Sequence, residues 1–100
     1  MATQLFSEHV RSALIDFFLY SYLMMDKPKS ELSDEMLNAI YRTAARKRVA
    51  EETNDSAKEL LMSIVHSRNP SGSLVFNLDR MLENSNKTNA KLTRFKHVHS

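Results

Sequence analysis

Cysteine is absent from this 100-residue chain. Its absence excludes disulfide staples, thiolate nucleophiles and cysteine-ligated metal. Glycine occurs once, at Gly72, and proline twice, at Pro28 and Pro70. So little turn chemistry argues against an all-β fold, which needs glycine at many positive-φ positions. No hydrophobic run is long enough to span a bilayer. The most apolar stretch, Ala13 to Met25, carries Asp16 and falls short of the roughly 20 residues a spanning helix requires. Glu8 and His9 precede it rather than a basic start, so it reads as core and not as a signal peptide. A glycine-rich phosphate loop, a helical histidine pair flanking a glutamate and a serine elbow are all missing. The expectation is therefore a non-enzymatic protein with no cofactor and no metal, and a cytoplasmic location.

The chain has the length of one domain. Its 42% hydrophobic and 26% charged content is that of a globular protein. Charge is unevenly placed. The residues up to Glu83 hold ten Lys or Arg against twelve acids, a net of −2. The last 17 hold Lys87, Lys91, Arg94 and Lys96 and no acid. This contrast divides the chain into a helical domain, 1–83, and a basic tail, 84–100, expected to be mobile in isolation because core candidates are few.

Hydrophobic spacing predicts an all-α bundle of three to four helices. Leu5, Phe6, Val10, Ala13, Leu14, Phe17, Phe18 and Met24 recur three and four apart, with Thr3 or Ser7 as cap and an end near Asp26 before Pro28. Ser33 is placed to cap a second helix, with Leu32 and Leu37 as a hydrophobic staple. Met36, Leu37, Ile40, Tyr41, Ala44, Ala45 and Val49 form its stripe. Lys47–Glu51 and Arg48–Glu52 are pairs four apart. Ser56 to Glu59 reads as a capping box for a third helix carrying Ala57, Leu60, Leu61, Ile64 and Val65. After a loop at 67–73, Leu74, Val75, Leu78, Met81 and Leu82 predict a short fourth helix; Leu74-Val75-Phe76 as a strand would have no second strand to pair with.

Four features are candidates for contact with a partner. Phe17, Phe18, Tyr20, Tyr22, Met24 and Met25 crowd nine residues of the first helix. Either that helix is buried nearly all round, or Tyr20, Tyr22, Met24 and Met25 form a surface for another protein or a second copy of the chain. Arg42, Arg46, Lys47 and Arg48 are either a solvated face that complements the negative helix end or a site for phosphates or an acidic protein. Together with the tail they make nucleic-acid binding the alternative function. A helix-turn-helix spanning 44–65 is the weaker form of that reading, because its second helix offers only Lys58, Ser63 and His66 to a groove. Asn69-Pro70 either ends the third helix or forms an exposed X-Pro loop open to a prolyl isomerase. His97 and His99 make a poor metal grip on a tail.

In overall character, and in the loop Ser67-Arg68-Asn69-Pro70-Ser71-Gly72 followed by a basic tail, the chain resembles the small lambdoid-phage proteins that bind the host RecBCD nuclease–helicase. The resemblance implies an inhibitor or modulator that occupies a surface of that enzyme, with a host prolyl isomerase as an accessory at Pro70.

Overall fold

The computed structural model describes residues 8–83. Four helices follow in order: α1 (Glu8–Met24), α2 (Asp34–Ala50), α3 (Asp55–His66) and α4 (Ser73–Glu83), with a 3₁₀ turn at Lys29–Glu31 between the first two. The described residues contain no strand. The fold is an all-α bundle, and 74–76 are helical.

In α1, Ala13, Leu14, Ile15, Phe17, Phe18, Ser21 and Tyr22 are all buried. That arc is wider than one amphipathic stripe, and it is covered because α1 packs on both α2 and α3. The crowded aromatic segment therefore forms the centre of the core. Phe17 meets Phe18 edge-on at 5.0 Å and lies 5.9 Å from Tyr41 of α2, while Tyr22 stacks with Phe18 at 6.4 Å. Ser21, the buried polar residue of this helix, donates its hydroxyl to the Phe17 carbonyl 2.8 Å away, which satisfies it one turn back. α1 ends at Met24, four residues ahead of Pro28, and Met25 turns inward to complete the core.

Ser33 caps α2, its hydroxyl accepting from the Met36 amide at 3.2 Å. Leu32 and Leu37 are both buried beside it, as the staple requires. Ala44 and Ala45 have no exposed surface; side chains this small let α1 and α3 approach the α2 backbone closely. Met36 lies outside the stripe, exposed in the first turn.

α3 is capped two residues ahead of its expected capping box, at Asn54 rather than Ser56. Asn54 is the cap, with its side-chain oxygen accepting from the Ala57 amide at 3.0 Å. The correction has a local cause. Glu52 Oε2 accepts from the amides of both Thr53 and Asn54, at 3.2 and 2.8 Å, and so fixes the backbone just ahead of Asn54. Ala57, Leu61 and Ile64 face inward. α4 adds Val75, Leu78 and Leu82 to the same core.

Candidate protein-interaction surface

Three places on the bundle gather polar and aromatic side chains from different elements. The first is the loop between α3 and α4. Arg42 reaches it from α2, donating from Nε and Nη2 to the Ser67 carbonyl at 3.1 and 2.9 Å and from Nη2 to the Arg68 carbonyl at 2.7 Å. One turn earlier Asn38 accepts from the Ser71 amide at 2.8 Å and donates to Asn69 Oδ1 at 3.0 Å. The loop is thus pinned to α2 at both ends. Gly72 completes it, since a Cβ there would lie 2.7 Å from Asn69 Nδ2 and 3.3 Å from the Asn69 carbonyl.

This pinning overturns the expected exposed X-Pro loop. Asn69 is exposed, but the Pro70 ring is fully buried, and the described residues contain no cis peptide bond. The Pro70 carbonyl accepts from the Val75 amide at 3.0 Å and so helps start α4. An enzyme gripping the ring would first have to open the loop.

The second place is the seam between α1 and the end of α2. Arg48 donates from Nε to Asp16 at 3.0 Å and from Nη2 to Glu52 at 2.8 Å. Its side chain is 11% exposed, Glu52 8% and Asp16 42%. The amide of Asn54, then the guanidinium of Arg48 and the Thr53 amide, hold the Glu52 carboxyl below its ordinary range. Arg48 Nη1 is buried without an acceptor among the described residues. Tyr20 donates to Glu51 at 2.7 Å, and that bond raises the Tyr20 phenol above its usual value. Lys47 stands 5.4 Å above the Tyr20 ring, a cation–π distance. Glu51 thus pairs with Tyr20 while Arg48–Glu52 forms as the four-residue spacing suggests.

The predicted contact residues are therefore divided. Tyr22 and Met25 are core, 1% and 4% exposed, because the first helix is wrapped on both sides. Arg42 and Arg48 hold the fold. Tyr20 and Met24 keep partial exposure, and Arg46 and Lys47 remain exposed. The basic cluster on α2 offers a phosphate chain two outward cations rather than four. Lys87, Lys91, Arg94, Lys96, His97 and His99 lie outside the described residues.

The third place was not anticipated. Between α2 and α4 lies a cleft of about 210 Å³ lined by Lys29, Leu37, Tyr41, Ser71, Val75, Phe76 and Asp79. Leu37, Tyr41 and Val75 form its buried floor, whereas Phe76 is 58% exposed at its edge. Arg80, one turn on, sits 5.8 Å from the Phe76 ring. Burial, and then the carboxylate of Asp79, push the Tyr41 phenol up to about 12. The signal available in sequence was that Phe76 falls off the stripe of Val75, Leu78 and Leu82.

No helix among the described residues is long and apolar enough to cross a membrane. No family model, curated protein or solved structure matches this chain.

Proposed function

We propose that this protein is a non-catalytic interaction protein that binds a larger protein and modulates it. The host RecBCD nuclease–helicase is the partner named by the resemblance to the small lambdoid-phage proteins. The observation that carries the interaction reading is Phe76, a large aromatic held in solvent at the edge of an apolar cleft with an arginine against its ring. Phenylalanine, tyrosine and arginine are enriched at the buried centres of protein interfaces, where a few such anchors supply most of the binding energy. An isolated exposed apolar residue needs no explanation; this one stands beside a preformed recess.

The test is co-elution of the purified chain with purified RecBCD, together with assay of the enzyme's ATP-dependent degradation of duplex DNA. The expected result is a stoichiometric complex with altered degradation. The F76S variant, helical by circular dichroism, should lose at least about tenfold in affinity, the scale of an interface anchor. Absence of a complex at micromolar concentration removes RecBCD as the partner.

A further inference from the structure

We draw no further inference here: the strongest candidate, the apolar cleft between α2 and α4 edged by Phe76, carries nothing beyond the interaction reading, because its lining charges, Lys29 and Asp79, cancel and nothing in the structure shows what covers it.

Discussion

Replacing Arg42 with methionine separates a structural cation from a binding one. The guanidinium makes three hydrogen bonds to the carbonyls of Ser67 and Arg68. Bonds from a charged donor contribute about 1.5–3 kcal/mol each when buried. Two of these share the Ser67 oxygen, and the bond to Arg68 is exposed, so the set counts as little more than one such bond. The charge also lies beside the C-terminal end of α3, where a cation is worth roughly 0.3–1 kcal/mol. Against this, the released carbonyls lie near the surface and regain water. Methionine keeps most of the side chain's apolar stem, so packing changes little. The net loss is about 2 kcal/mol.

For a domain of this size such a loss lowers Tm by roughly 8–16 °C, readable by thermal and urea denaturation. Loss of the pin also frees the loop, so hydrogen exchange at the Gly72 and Val75 amides should rise more than at α1 amides. Lysine carries the charge without the planar fork, so R42K should recover no more than about half of the lost stability. An R42M protein within about 0.5 kcal/mol of the parent, the range of an ordinary surface change, refutes the reasoning. So does one with unchanged stability and lost partner binding, which would restore Arg42 as a contact.

Y22S and M25S, on side chains buried in the core, should each destabilise by about 2–5 kcal/mol with loss of helical circular dichroism; retained helicity with loss of partner capture would place them on the surface after all. R48M should cost about 1–2 kcal/mol in denaturant melts, less than a broken buried pair normally does, because Glu52 keeps two backbone donors and the unpartnered Nη1 goes with the side chain. The Glu52 carboxyl is held low in the folded state, so its contribution is present above the ordinary carboxylate value and is lost as pH falls through the folded value; E52Q should flatten that acid limb. The Tyr41 phenol is raised to about 12, so stability should fall by about 2 kcal/mol as pH rises from 10 to 12, and Y41F should remove most of that decline.

Helices α1 to α4 were legible because apolar residues three and four apart demand a common face, and because Ser33 and Pro28 are strong local punctuation. The start of α3 was misplaced because a capping box is a pattern in sequence, whereas Asn54 became the cap through the Glu52 carboxylate that organises the turn ahead of it. The candidate site was less legible for a different reason. Tyr22 and Met25 have the composition of an interface, yet interface anchors and core residues are chemically alike, and only tertiary wrapping tells them apart. Arg42 and Arg48 look like neighbours in a basic stripe, and spacing announces only the Arg48–Glu52 pair; their other partners, Ser67, Arg68 and Asp16, lie 25 to 32 residues away in the chain. Nothing local announces those. Pro70 looked exposed because X-Pro loops usually are; its burial follows from Asn38 and Arg42, which belong to another helix.

Once the fold has used these groups, aromatic and cationic side chains of the described residues still meet at the surface, Tyr20 with Lys47 and Phe76 with Arg80. The second borders a recess, since Phe76 lines the α2–α4 cleft. A stable protein interface takes about 800 Å² on each side, far more than this recess offers, so the cleft can be the centre of an interface but not its whole. If Phe76 is the centre of that interface, F76S should act mainly by faster dissociation, because losing a buried anchor shortens the life of the complex while leaving the encounter unchanged. Stopped-flow binding to RecBCD resolves the two rates. An F76S protein that associates more slowly and dissociates as the parent does refutes Phe76 as the buried centre.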